Sequence, residues 1–344
     1  MKLSFRWFGN DDLVTLENIR QIPNMNGIVS AIYSIPVGEV WPVEQIKEMK
    51  QKIENNGLNL GVIESVPVHE DIKLGNSNRD QWIENYKQTI LNLSECGIQT
   101  ICYNFMPVFD WTRTTLHHLN SDGSTSLALS TEELKKLDPL DESLSLPGWD
   151  ESYDKDKLKD ILKQYSTVDE EKLWENLTYF LEAIIPVAEK AQVNMAIHPD
   201  DPPYSIFGLP RIIKDKESYA RLFQLSSSSA NGITFCTGSL GANPYNNLYE
   251  MLDEYLSLGK VHFMHVRNIL LHKDKSFEET AHVSNYGSID MVRILSLLKK
   301  HQYTGYLRPD HGRMIFKESG RPGYGLYDRA LGASYLNGIW ETLS

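Results

Sequence analysis

The chain has 344 residues, 41% of them hydrophobic, and a formal net charge of −12. That balance supports a full core and argues against a nucleic-acid groove, which needs a basic face to displace counterions. No run approaches the roughly 18 apolar residues of a membrane span, and the start, "MKLSFRWFGNDD", lacks the apolar stretch of a signal peptide. Three cysteines form no disulfide framework, so a soluble cytoplasmic protein is expected.

In chain order, eight short apolar or β-branched runs read as strands: 3–9, 27–33, 58–65, 99–106, 193–200, 232–239, 261–268 and 305–312. Amphipathic helices are expected between most of them, over 43–57, 79–97, 170–192, 211–226, 246–259 and 288–302, with a closing helix over 326–343. Gly57 and Gly97 supply the stops of the first two. Eight βα units predict one α/β domain over 1–344, a (β/α)8 TIM barrel, in preference to an open doubly wound sheet. No Gly-x-Gly-x-x-Gly follows a strand, as a dinucleotide fold would require. Residues 107–169 break the rhythm with a polar, acidic composition. We read them as an insertion after the fourth strand, partly helical, covering the barrel mouth or meeting a second subunit.

Functional groups of such a barrel sit on the C-terminal ends of its strands. The last four ends carry His198, Cys236, His265 and Asp310. Each alone has an ordinary role, the histidines as satisfied polar groups and the cysteine as a small buried hydrophobe. Together, on successive strands, they point to a transition-metal site with nitrogen, sulfur and oxygen donors. A magnesium site would draw on oxygen alone. Alternation along a strand puts Arg267 on the side of His265 and Arg308 on the side of Asp310. Guanidiniums there suit an anionic substrate gripped bidentately; the competing role is to pair with a carboxylate, more so for the deeper Arg308. Gly312 lets the chain bend so that both Asp310 and His311 face the cavity, which gives His311 proton chemistry. Tyr324, flanked by Gly323 and Gly325, can swing over the mouth with its phenol. Glu64 and His69 lie near the rim after the third strand, and His282 reaches toward the mouth from the loop after the seventh.

Over nearly its whole length the chain resembles the mannonate dehydratase family. The resemblance rests on "RWFG" (6–9), "GEVW" (38–41), "ESVPVHEDIK" (64–73), "YNFMPVFDWTRT" (103–114), "HPDDPP" (198–203), "CTGS" (236–239), "HVRN" (265–268), "RPDHG" (308–312) and "PGY" (322–324). It implies a xylose isomerase-like barrel and dehydration of D-mannonate to 2-keto-3-deoxy-D-gluconate in hexuronate (glucuronate) breakdown. It also implies Mn2+ or Fe2+ as cofactor, with His198, Cys236, His265 and Asp310 as ligands and His311 and Tyr324 as proton-transfer groups. Arg267, Arg308 and His282 complete the expected site as substrate-binding residues. The expected partners are the sugar acid and a second copy of the chain in a homodimer, with no nucleic acid and no membrane. Two other readings compete. One is a related barrel isomerase or epimerase, whose sites lean on Glu and Asp ligands; the other is a non-catalytic sugar-acid binding protein, against which His311 and Tyr324 together argue.

Overall fold

A computed structural model describes residues 1–140 and 155–343. Its strands, in chain order, are β1 (Lys2–Arg6), β2 (Met25–Ser30), β3 (Asn59–Glu64), β4 (Thr100–Tyr103), β5 (Thr115–Leu119), β6 (Thr125–Leu129), β7 (Asn194–Ile197), β8 (Asn231–Cys236), β9 (Val261–Val266), β10 (Ile269–Leu271), β11 (Phe277–Glu279) and β12 (Tyr306–Pro309). Eight of these pair in parallel and close a barrel in the order β1-β12-β9-β8-β7-β4-β3-β2, as the alternation of the sequence predicts. Strands of such a barrel are covered on both faces, so they read as continuous apolar runs. All six residues of β8, for example, are buried.

The helices follow the strands and close the outer layer. Met291–Lys300 shows why such a segment is helical: Met291, Ile294, Leu295 and Leu298 fall on one buried face. Asp290 caps its start by accepting from the Arg293 amide, and Lys299 and Lys300 sit in its last turn, where cations suit the helix dipole. Burying each such apolar side chain contributes roughly 1.5–3 kcal/mol. Most of the core lies between these helices and the strands. A second, small cluster fills the barrel itself: Val29, Val62, Cys102, Ala196 and Phe263, with Tyr306 against it. Gly27 and Gly61 make room for the Tyr306 ring, since a Cβ at Gly61 would lie 2.4 Å from it and one at Gly27 2.7 Å.

The barrel strands stop sooner than the apolar runs suggest. β7 ends at Ile197 and β12 at Pro309, and one further hydrogen bond each, His198 N to Tyr103 O (2.7 Å) and Asp310 N to Val266 O (3.1 Å), carries the ladder one residue on. Strand alternation therefore orients His198 and Asp310, and loop conformation orients the residues after them.

The segment after β4 is more than a partly helical insertion. It contains helices Thr131–Leu134 and Lys155–Tyr165, but also the hairpin β5–β6. The hairpin turns at Asn120–Gly123, where Gly123 takes φ +81° and donates its amide to Asn120 O at 3.0 Å. β10 and β11, from the loop after β9, join it in a four-stranded antiparallel sheet of order β10-β11-β6-β5. Residues 141–154 of the expected insertion lie outside the described residues.

The packing inside the barrel can be tested at Gly61. Gly61→Ala should lower the urea midpoint by an amount worth about 1–3 kcal/mol of overpacking, and Tyr306→Leu in the same chain should restore part of it. A neutral Gly61→Ala would mean that Tyr306 does not fill that space.

Candidate active site

Strand register brings the metal-ligand types together. Cys236 on β8 stands opposite His265 on β9, and His265 opposite Arg308 on β12. One ligand atom each from His198, Cys236 and His265 lies within 4.8 Å of the others. Asp310 Oδ2 is 3.7 Å from Cys236 Sγ and 3.9 Å from His265 Nδ1.

The far side of each imidazole decides what the near side offers. His198 Nδ1 is 2.7 Å from Pro199 O, and a carbonyl only accepts, so Nδ1 carries the proton. His265 Nε2 is 3.1 Å from Glu64 Oε2. Burial works against ionisation of Glu64, but Arg308, His265 and Arg6 hold its pKa well below the ordinary range, so His265 carries its proton on Nε2. The remaining nitrogens, His198 Nε2 and His265 Nδ1, then present lone pairs to each other at 3.1 Å. Two lone pairs at that distance repel unless a proton or a metal ion lies between them.

Their surroundings are negative. Burial alone would raise the Cys236 thiol; Arg267, with the imidazoles of His198 and His265 beside it, overrides that and holds the thiol well below its usual range. Burial is likewise overridden at Asp310 by Arg308, His311, His265 and Arg267. Burial should make His198 less basic, yet Cys236, Asp310 and Glu64 raise it to about 9. The pocket thus attracts a cation, and a thiolate, a carboxylate and two imidazole nitrogens fit a divalent transition metal. Glu64, Cys102 and His265 form a second close group, but Glu64 already faces Arg6 at 3.3 Å and Arg308 at 2.9 Å. Burial also pushes the Cys102 thiol well up, so no negative charge is left there for a metal.

The expectation that Arg267 grips a substrate carboxylate is corrected. Its guanidinium is 1% exposed and committed on every side: Nη2 to Asp201 Oδ2 (2.7 Å), Nη1 to Glu279 Oε1 (2.8 Å) and Nε beside Asp310 Oδ2 (2.9 Å). Arg113, two residues before β5, closes the same group, on Asp201 at 2.8 Å and Glu279 at 2.7 Å. Free donors lie elsewhere. Arg308 binds Glu64 and, at 2.8 Å, Asp310 Oδ1, while its Nη1 has no hydrogen-bond partner among the described residues, nor has Nε of Arg6. Arg6 also donates to the Tyr33 hydroxyl at 3.0 Å.

Both ring nitrogens of His282, expected to bind substrate, are buried without a hydrogen-bond partner among the described residues. It is buried with its ring against Gly332 of the last helix, where a Cβ would fall 2.4 Å from Nδ1. His69 is structural: it caps helix Glu70–Leu74 and stacks on Trp82.

His311 and Tyr324 come together. His311 Nε2 is 2.9 Å from the Tyr324 hydroxyl, and Nδ1 is 2.7 Å from Glu279 Oε1. Burial raises the phenol's pKa. Trp111 lies over the pair, its ring 4.7 Å from that of His311 and 6.1 Å from that of Tyr324, so the segment after β4 covers this part of the mouth. Arg6, Arg113, Asp201 and Glu279 escaped the sequence reading as site residues. "HPDDPP" and "DWTRT" held two of them in plain view, but Glu279 sits in a stretch with no distinguishing pattern.

The D-mannonate dehydratase (UxuA) family matches residues 1–344. Mannonate dehydratase from Streptococcus uberis is 59% identical over 343 residues, covering 100% of this chain and 99% of its own. Mannonate dehydratase 2 from Halalkalibacterium halodurans is 57% identical over 344 residues, covering 100% of both. The crystal structure of mannonate dehydratase from Streptococcus suis serotype 2 superposes with a TM-score of 0.93 at 51% identity, over 99% of this chain and 94% of that one. A xylose isomerase domain protein from Planctomyces limnophilus shares the fold alone, at a TM-score of 0.58 and 13% identity over 99% of this chain and 98% of its own. A match that runs the full length at such identity is decisive, and the chain belongs to the D-mannonate dehydratase family of hydro-lyases.

Proposed function

We propose that this protein dehydrates D-mannonate to 2-keto-3-deoxy-D-gluconate, in hexuronate breakdown, with Mn2+ or Fe2+ held by His198, Cys236, His265 and Asp310. The observation that carries the metal is the pair of imidazole nitrogens, His198 Nε2 and His265 Nδ1, facing each other at 3.1 Å beside a thiolate and a carboxylate. When bound, the metal supplies Lewis acidity at the carboxylate end of the sugar acid.

The chain's own residues do the rest. The C2 hydrogen, next to the carboxylate, is the weakly acidic one. Its proton is removed, the C–H electrons form a C2–C3 double bond, and the C3–O bond breaks as the hydroxyl leaves with a proton as water. The enol then becomes the 2-keto product by moving its hydroxyl proton to C3. His311 Nε2 and the Tyr324 hydroxyl, 2.9 Å apart, divide the removal and the donation. Arg6 Nε and Arg308 Nη1, two of the buried donors without a hydrogen-bond partner among the described residues, hold the substrate's oxygens. Trp111 limits water at the pair.

No helix among the described residues is long and apolar enough to cross a membrane, which is consistent with a cytoplasmic enzyme acting on a free sugar acid. Among the described residues no further strand pairs with β5, which ends the small sheet and carries an exposed Leu119, a surface suited to pairing in a homodimer.

Removing the metal with a chelator should abolish loss of D-mannonate, and Mn2+ or Fe2+ should restore it. Cys236→Ser should weaken metal affinity by at least about 10-fold, since even changes outside the ligand shell cost 10- to 100-fold; full metal content in that variant would remove the thiolate from the site. The arginines separate by a different measurement. Arg6→Lys should raise KM by about 10- to 100-fold, the worth of one charged hydrogen bond. Arg267→Lys, which keeps the charge but loses the fork shared by Asp201, Glu279 and Asp310, should instead lower stability by about 1.5–3 kcal/mol, the worth of a hydrogen bond to a charged group. The reverse assignment of the two effects would restore Arg267 as the clamp.

A further inference from the structure

His311 has two ring nitrogens, and the fold treats them differently. Nε2 faces Tyr324, while Nδ1 faces a carboxylate that does not belong to the barrel: Glu279 ends β11, in the outer four-stranded sheet. Glu279 is 1% exposed. Four N–H groups converge on its Oε1: Arg113 Nη2 (2.7 Å) and Nε (3.1 Å), Arg267 Nη1 (2.8 Å) and His311 Nδ1 (2.7 Å). Burial opposes its ionisation, but Arg267, His311 and Arg113 bring its pKa down to about 2. An ionised carboxylate accepts and cannot donate. The hydrogen on the short contact is therefore on Nδ1, and Nε2 alone is left to exchange a proton with the Tyr324 hydroxyl.

The carboxylate itself is fixed from both sides. Asp201 binds the same two arginines, Arg113 Nη1 at 2.8 Å and Arg267 Nη2 at 2.7 Å, so neither guanidinium can turn away from Glu279. Arg113 comes from the segment after β4, Arg267 from the end of β9 and Glu279 from β11. Trp111 stands against the imidazole on its open side.

We propose that Glu279 is a positioning residue for the dehydration: it holds His311 with its proton on Nδ1 and aims Nε2 at Tyr324, which makes the outer sheet part of the catalytic apparatus. This rests on the function proposed above and assigns a role to a residue whose hydrogen bonds run to Arg113, Arg267 and His311. A ring freed from Glu279 can hold its hydrogen on either nitrogen and turn about its side-chain bonds. The fraction of molecules with a usable Nε2 then falls, while the metal site and the substrate-binding arginines stay as they are. The loss belongs to kcat and not to KM.

Glu279→Gln keeps the size and an acceptor oxygen but also offers an N–H to Nδ1. Its kcat should fall about 10²- to 10⁴-fold, as when a carboxylate partner of a catalytic histidine becomes an amide, with KM and metal content unchanged. Because Glu279 acts through His311, the double variant with His311→Asn should be no slower than His311→Asn alone. In zinc-loaded protein with 15N-labelled histidine, His311 should show a single Nδ1–H form in the wild type and a changed form in Glu279→Gln. If Glu279→Gln folds poorly, Glu279→Asp, which keeps the charge but withdraws it from Nδ1, should show the same loss of kcat with metal retained. Wild-type kcat in the folded variant, losses that multiply in the double variant, or an Nε2–H form in the wild type would each overturn the proposal. A wild-type protein that leaves D-mannonate untouched would instead overturn the function, and the NMR measurement would still decide the role of Glu279.

Discussion

Four arginines and four carboxylates are shut in around the mouth of this barrel: Arg6, Arg113, Arg267 and Arg308 against Glu64, Asp201, Glu279 and Asp310. Removing such charges from water costs several kcal/mol per ion, which is recovered only when each has close partners of opposite sign. The rest of the site depends on that pairing. Each carboxylate faces at least two guanidiniums, and the chain supplies the partners from strands far apart in sequence. Arg6 comes from β1, Glu64 from β3 and Arg308 from β12, while Arg113, Asp201 and Glu279 come from loops and the outer sheet.

The network also orients the chemistry. Two of its carboxylates each hold one histidine by the nitrogen turned away from the reaction: Glu64 holds His265, and Glu279 holds His311. The same physical rule acts in both, since an ionised carboxylate leaves the proton on the nitrogen it contacts. In one case the freed lone pair meets His198, Cys236 and Asp310. In the other it meets a phenol. The histidine of the proposed metal site and that of the proposed proton transfer are thus prepared by one kind of contact, and both contacts are held in place by arginines. These pairs contribute more to specifying the site than to overall stability, which comes chiefly from the apolar layer between strands and helices.

Much of this was legible in the sequence, for identifiable reasons. Barrel strands are buried on both faces, so all eight appeared as apolar runs, and the amphipathic helices between them carried clear periodicity. That His198, Cys236, His265 and Asp310 come together was legible because the C-terminal ends of barrel strands meet at one mouth. The outer sheet was not visible. Its strands are short and partly exposed, and "TLHHLNSDGSTSLAL" has the composition of a polar loop, although Asp122-Gly123 between two short runs was a usable hairpin signal. Arg267 was misjudged because strand alternation gives the side on which a residue lies but not which charges already occupy it. Glu279 was beyond reach, because only the folded sheet brings it to His311.

The central claim is that two imidazoles, one thiolate and one carboxylate share a divalent cation at the strand ends. X-ray absorption at the manganese edge of the metal-loaded protein tests it most directly. The account predicts one sulfur neighbour together with the scattering pattern of two imidazole rings, the sulfur contribution vanishing in Cys236→Ser. A coordination shell of oxygen alone, or a sulfur signal that survives that substitution, would contradict it.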